Sequence, residues 1–404
     1  MLESTSNNSF FKPIYPITTN YYLIVYDAVI VGGGPTGSSA ARLCAKAGLS
    51  TLLIEEHSVI GYPVQCAGLL SNSAFAECEV SNRSVFRTVS GAKIFGSSGE
   101  PLSFDAGETK AYVVDRGTLD HEMAEIAAEA GADFRMKTCV TSVNEDKHII
   151  HTADGEDIRY RILIAADGPR SVCARSFGVP ASQFIYSGIQ AEVLYNTDTP
   201  QVELYPNAAP EFFAWAIPMS STRARIGLCG TKNVPELFDA FKKRFTVMNV
   251  HSVTGTIPIG VRKRTYGDSW MLAGDAAGFP KPTSGGGVYT GIRSARHAVS
   301  TAVSALENGD TSKKALSGYE TLWKNDFGRE IELGLNFLKI RRTFTEDDID
   351  AGISAMNNPE ILKIITESGD IDRPSALLRK LVMHPEILSL GGRLGIKTLI
   401  RLFK

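Results

Sequence analysis

The residues YDAVIVGGGPTG, Tyr26 to Gly37, constrain this chain more than any other stretch. An apolar run, Ala28 to Val31, ends in glycines at 32, 34 and 37, and SSAARLCAKAG follows as a small-residue helix that closes at Gly48. Strand, glycine turn and helix make a dinucleotide-binding unit. Gly32 permits the tight turn, Gly34 lets the backbone approach a pyrophosphate, and Gly37 lets the helix lie close on the strand. The helix start, with Thr36 in the same turn, aims free N–H groups at the anion. A second strand, Ser50 to Ile54, ends in Glu55. That is about 20 residues beyond the glycines, where a carboxylate can accept hydrogen bonds from a ribose. Glu56 is the competing acid, and strand alternation favours Glu55.

Two later segments repeat the theme. ILIAADGPRS, residues 162 to 171, is an apolar strand ending in Asp167-Gly168, and WMLAGDAAG, residues 270 to 278, is another ending in Gly274-Asp275. A glycine turn then leads through Gly286, Gly287 and Val288 into a helix whose first N–H groups can hold a further part of the same cofactor. The three segments, in this order, resemble the FAD motifs of the aromatic-hydroxylase-like branch of the glutathione-reductase superfamily. The resemblance implies FAD as cofactor. It also implies an α/β fold in which a Rossmann-like FAD domain, built from separated segments, carries an inserted antiparallel-sheet substrate domain. Arg116, in VVDRGTLDHEM, matches the branch's arginine at the start of a helix that reaches the cofactor. Val140, placed at the end of the strand after GADFRMK, matches the position whose backbone meets the adenine.

Within that branch, IGYPVQCAGLLS, residues 60 to 71, looks like the P-V-x-C-A/G segment of the geranylgeranyl reductase family. EFFAWAIPMSSTRARIGLCG, from Glu211, is similar to the family's aromatic-x-Trp-x-aromatic-Pro strand and following glycine pair, through Phe213, Trp215, Pro218 and Gly227. LSGYETLWKNDFGREIELG, residues 316 to 334, is similar to the helix after its FAD domain. Four positions depart from the pattern. Phe213 stands for tyrosine, Ile217 for an aromatic residue, Gly230 comes one residue later than the usual second glycine, and Gly68 occupies the place of a glutamate.

Membership implies a flavin-dependent oxidoreductase that saturates C=C bonds of geranylgeranyl or other isoprenoid chains, in membrane lipid biosynthesis. Reduced flavin gives a hydride and a second group gives a proton. Cys66 and Ala67 then lie beside the flavin, with Cys66 either the proton donor or a small packed side chain. Alternation puts Phe213, Trp215 and Ile217 on one face of a strand and Ala214 and Ala216 on the other, so the aromatics wall either a prenyl slot or an ordinary core. An FAD monooxygenase of a small aromatic substrate and a non-catalytic prenyl-chain carrier are the rival functions. No second nucleotide fingerprint follows a strand, so electrons come from a ferredoxin-like protein, a reduced nicotinamide or another carrier.

The length, 404 residues, allows about two to three domains. The expected division is a tail over 1–25, an FAD domain from 26–85, 112–175 and 255–310, a substrate domain from 86–111 and 176–254, and a helical region over 311–404. A net charge of −2 gives no case for nucleic acid. Six cysteines without a CxxC pair, and seven histidines without ligand spacing, point to reduced thiols, no metal and a cytoplasmic setting. The chain offers neither a signal peptide nor a transmembrane run. Its last stretch, PSALLRKLVMHPEILSLGGRLGIKTLIRLFK, is basic and amphipathic and suits peripheral contact with an anionic membrane surface, or a packed helix pair with a solvated basic face.

Overall fold

Four runs without polar alternation, Ala28 to Val31, Thr51 to Ile54, Ile162 to Ala165 and Trp270 to Leu272, are buried throughout. Strands of this kind need cover on both faces, which parallel sheets receive from crossover helices. In the computed structural model, which describes residues 25–97, 100–197, 199–245 and 251–387, they form the centre of an eight-stranded sheet. Its order is Tyr266–Gly267, Trp270–Leu272, Asp157–Ala165, Val25–Val31, Thr51–Ile54 and Asp133–Arg135, with Val140–Asn144 and Ile149–Thr152 added beside Asp157–Ala165. The five strands from Trp270–Leu272 to Asp133–Arg135 run parallel. The expected tail, apart from residue 25, and the basic stretch from 388 onward lie outside the described residues.

The helix Pro35–Lys46 packs against Arg116–Glu129 and Val288–Glu307. Small buried residues, Ser38, Ser39, Ala40 and Ala41, let it come close. At Gly37 a Cβ would lie 1.8 Å from the Gly32 carbonyl oxygen, so no larger residue fits the turn. One expectation is corrected. Val140 opens the strand Val140–Asn144 instead of closing the one before it, because the preceding strand stops at Arg135 and Lys137, at φ 56°, turns the chain.

A second sheet has seven strands in the order His251–Ile259, Phe184–Leu194, Arg223–Gly230, Ala214–Pro218, Gln201–Tyr205, Gly91–Ile94 and Leu102–Asp105. All neighbours are antiparallel except Gln201–Tyr205 with Gly91–Ile94. The alternation holds within the strand Ala214–Pro218, whereas Phe213, expected on the same strand face as Trp215, stands just before the strand begins. Ala214 and Ala216 face a core with Ile226, Leu228 and the phenylalanines 238, 241 and 245, on and just beyond the helix Val234–Lys242. Ile217 and Trp215 belong to clusters on the opposite side. A third sheet, of three strands, joins Leu69–Ser71, Ala111–Val114 and Val85–Val89.

After Val288–Glu307 the chain is helical to the end of the described residues. No helix among them is long and apolar enough to cross a membrane. The helix Arg329–Arg341 ends in a buried arginine that reaches the connection between the strands Gln201–Tyr205 and Ala214–Pro218: Arg341 donates to the carbonyls of Pro206 at 2.9 Å, Pro210 at 3.0 Å and Phe212 at 3.4 Å. Leu cannot replace these bonds. Arg341→Leu is therefore expected to destabilise the protein by roughly 1–3 kcal/mol, since charge-assisted bonds to buried carbonyls are lost. An unchanged melting temperature would count against this anchoring role.

Candidate flavin site

The glycine motifs meet at Thr36. A Cβ on Gly274 would fall 2.6 Å from its Oγ1 and one on Gly291 only 2.3 Å, so the first turn and the last helix close on this one side chain. Gly32 lies against the second motif in the same way, its would-be Cβ 2.3 Å from the Ala166 oxygen and 3.0 Å from the Asp167 Cα. Gly34 differs from them. A Cβ there would meet nothing within 4 Å, and Gly34 caps the helix Pro35–Lys46 without any side-chain hydrogen bond. The helix N-terminus thus faces open space, the form an anion cradle takes.

Acidic groups surround that cradle. Glu55 Oε2 accepts from the Gly33 N–H at 2.7 Å, and Oε1 accepts from the His57 N–H at 2.9 Å. Thr138 N–H reaches the Glu55 carbonyl at 2.9 Å, which brings the segment leading into Val140 to the same corner. Asp167 accepts from Cys173 N–H at 3.0 Å through Oδ2, while its Oδ1 is buried with no partner among the described residues. Asp275 is half-buried, and desolvation pushes its carboxyl up to about 6, against the pull of Arg116. Its Oδ1 sits 2.8 Å from where a Cβ on Gly287 would be, so that glycine is required. Gly286 and Val288 follow the same turn, and the twenty-residue helix starting at Val288 has no side-chain cap. Arg116 is buried and grips Asp120 with Nε and Nη2, both at 2.8 Å.

The PVQCAG loop crosses this region. Gly68 N–H points to Cys66 Sγ at 3.4 Å. Gln190 Nε2 donates to the Cys66 carbonyl at 2.9 Å and Arg225 Nη1 to the Ala67 carbonyl at 2.7 Å. Gly68 has φ 69°, and a Cβ there would lie 2.5 Å from the Val114 oxygen and 2.6 Å from Arg225 Nη1. That explains glycine where the family pattern has glutamate: the backbone is left-handed and there is no room.

Aromatic residues form the wall opposite. Trp215 pairs across strands with Gly227, and its indole lies over that glycine, with Cζ2 2.4 Å from the would-be Cβ. Phe213 meets Trp215 edge-on at 6.2 Å and stacks on Phe212 at 4.5 Å. Tyr186, Cys229 and Ile259 complete the cluster with Leu338. Gly285 touches it, its would-be Cβ 3.2 Å from Ile257 and 3.6 Å from the Phe212 ring, so the aromatic wall and the glycine turn are in contact. Pro218 is buried at the strand's end opposite Ala224, beside a different cluster holding Ile217 and Met219.

Gln190, Arg225 and Lys281 escaped the sequence reading. Lys281 is buried one turn before Gly286, donating to the Ile371 carbonyl at 3.1 Å and paired with Asp372, which also holds Ser71. A buried polar residue in an alternating strand is the only local signal for Gln190, and Lys281 has none.

An FAD-binding domain family model matches residues 25–262. Digeranylgeranylglycerophospholipid reductase 2 of Methanothermobacter thermautotrophicus is 30% identical over 386 residues, 90% of this chain and 98% of the relative. The chain belongs to the geranylgeranyl reductase family. A second relative, digeranylgeranylglycerophospholipid reductase of Thermoplasma acidophilum, is 32% identical over 335 residues, covering 76% of this chain and 85% of its own. The crystal structure of a geranylgeranyl bacteriochlorophyll reductase-like protein from the same organism superposes with a TM-score of 0.80 at 28% identity, over 92% of this chain and 99% of that one. Like the rest of this family the chain is an FAD-dependent oxidoreductase, and the open cradle at Gly34 with the unpartnered carboxylate oxygen of Asp167 fits that cofactor.

Asp275 gives a pH test. Its native pKa of about 6 lies above the ordinary 3.8, so the native state keeps the proton longer and this group costs stability as pH rises from 3.8 through about 6. Flavin-free Asp275→Asn is expected to gain in melting temperature over the parent through that window and to hold a constant lead above it. Parallel curves for the two proteins would show that burial does not govern this carboxyl.

Proposed function

We propose that this protein saturates C=C bonds of geranylgeranyl-type chains on a membrane lipid, as an FAD-dependent reductase acting on CH-CH groups. The observation carrying this reading is the contact between the aromatic wall and the glycine turn at Gly285. Two members of the family are named for such a lipid reduction. The cofactor-holding residues in this reading are Gly32, Gly34, Thr36, Gly37, Glu55, Cys66, Ala67, Arg116, Val140, Asp167, Asp275, Gly286, Gly287 and Val288. Phe213, Trp215, Pro218 and Gly227 belong to the substrate side. Segments 26–85, 112–175 and 255–310 form the cofactor domain, 86–111 and 176–254 the substrate domain, and 311–404 the helical region.

Bound FAD, once reduced, supplies the hydride. The protein's residues do the rest. Phe213 and Trp215, backed by the buried Tyr186 and Phe212, bind the chain and keep water out, each buried CH₂ contributing about 0.8 kcal/mol. Gly227 leaves the space that the Trp215 indole occupies. Cys66, with Sγ held by the Gly68 N–H, carries the proton for the second carbon. Electrons reach the site from a ferredoxin-like protein or a reduced nicotinamide. The protein is cytoplasmic and touches the lipid surface through its basic C-terminal stretch, where Met383 is 68% exposed after the helix Ser375–Val382 with Arg379 and Lys380.

Anaerobically reduced enzyme is expected to be reoxidised by a geranylgeranyl glycerolipid, which gains two hydrogens per bond by mass spectrometry. Failure of every prenyl substrate to reoxidise it would overturn the reading. Cys66→Ala should lower kcat by about 10²-fold with little change in KM, the usual worth of a positioned proton donor. Full turnover in that variant would remove the thiol from the reaction. Liposome sedimentation should fall when residues 375–404 are deleted, and unchanged sedimentation would remove the membrane contact.

A further inference from the structure

Two side chains of the seven-stranded sheet end on consecutive carbonyls of the loop that carries Cys66. Gln190 serves the Cys66 carbonyl and Arg225 the Ala67 carbonyl, at 2.9 and 2.7 Å. Both are nearly inaccessible, 7% and 6% exposed. They stand on adjacent antiparallel strands, where Gln190 pairs with Gly227 and Arg225 with Glu192, so they are diagonal neighbours on one face. Glu192 is the counter-ion of Arg225, with Oε1 3.0 Å from Nη2, and it also accepts from Arg223 Nη2 at 2.5 Å. Burial works to raise the Glu192 pKa, and the hydrogen bonds and charges of the two arginines outweigh it and hold it below the usual range.

The rest of the loop is held as well. The Gln65 carbonyl lies 3.1 Å from a would-be Cβ on Gly255, so a glycine there lets the loop rest on the sheet. The Gly68 carbonyl accepts from Val114 N–H at 2.8 Å. A surface loop normally gives its carbonyls to water. Here a buried amide and a buried arginine, paired with a half-buried carboxylate, are used instead, although desolvating a charge is costly when closure alone is needed. What this adds is direction. With the peptide plane leaving Cys66 held by Gln190, its Cα–Cβ bond has one orientation, and the Gly68 N–H on Sγ selects the rotamer.

We propose that Gln190 and Arg225, with Glu192 as counter-ion, are positioning residues that hold the Cys66 thiol in one orientation at the flavin site. This rests on the reading that Cys66 takes part in the reduction. The strap also touches the substrate wall. A Cβ on Gly227 would lie 2.4 Å from Trp215 and 2.9 Å from the Gln190 Cβ, so the indole and the strap flank one glycine.

The test is the alkylation rate of Cys66 by iodoacetamide in the FAD-loaded protein, read by peptide mass spectrometry. A Cys139→Ser background removes the exposed thiol, leaving the half-buried Cys66, and Cys44, Cys78, Cys173 and Cys229 are buried. Gln190→Ala and Arg225→Gln are each expected to speed alkylation by about tenfold, because a loop freed of its ties opens locally at lower cost. Both should also lower kcat more than they raise KM. Alkylation within about twofold of the parent, in variants that keep their melting temperature, would overturn the proposal, since released ties must raise local opening. Should Arg225→Gln fail to fold with Glu192 left to Arg223 alone, the neutral deletion Gln190→Ala and the double variant Glu192→Gln/Arg225→Gln decide. Faster alkylation with full turnover would uphold the strap and reject Cys66 as a participant. Lost turnover with unchanged alkylation would reject the strap and leave the reductase reading standing.

Discussion

The packing of Thr36 between Gly274 and Gly291 is the contact on which the rest of the structure depends. It closes chain segments more than 200 residues apart into one cradle, and it needs three small residues at once. The helix Pro35–Lys46 can reach it only because Gly37 lies against the Gly32 carbonyl and Ser38 to Ala41 present almost no bulk. Between those segments the chain is free to insert other structure, and it does so with the seven-stranded sheet. The cradle comes from close backbone approach, which glycine permits and any Cβ prevents.

That dependence explains what could be read from the sequence. The three glycine and acid motifs are local signals, since a turn, a close approach and a strand end each leave their residues in adjacent positions. The apolar runs of the parallel sheet and the alternation of AWAIP are local too, and both are present in the structure. Val140 was misplaced at a strand end because the turn at Lys137 is made by a non-glycine residue at positive φ, which nothing in the local pattern marks.

The polar tertiary contacts were not readable in that way. Gln190 meets Cys66 across 124 residues, Arg225 meets Ala67 across 158, and Arg341 meets Pro206 across 135. Asp372 joins Lys281 and Ser71, 91 and 301 residues away. Each looks in sequence like a surface charge or amide. The places these residues hold together are the Cys66 loop, the connection leading to Trp215 and the turn before Gly286, each next to a stretch the motifs had marked. The motif residues are readable because they are local, and these distant partners are what tie the segments around them together.

The two kinds of residue differ in how burial treats them. In the strap the donors are matched within the chain: Arg225 Nη1 and Nη2 reach Ala67 and Glu192, and Gln190 Nε2 reaches Cys66. At the cradle the balance is left open, with Asp167 Oδ1 unpartnered, the Asp275 carboxyl pushed up by burial, and the N-terminus of Pro35–Lys46 uncapped. A folded protein normally satisfies its buried polar groups, and exceptions gather where a ligand completes them. FAD brings ribityl and ribose hydroxyls and a pyrophosphate, groups that match a carboxylate acceptor and a row of free N–H donors. These open features of the cradle therefore match what FAD would bring to it, while Gln190 and Arg225 tie the Cys66 loop to the neighbouring sheet through bonds within the chain.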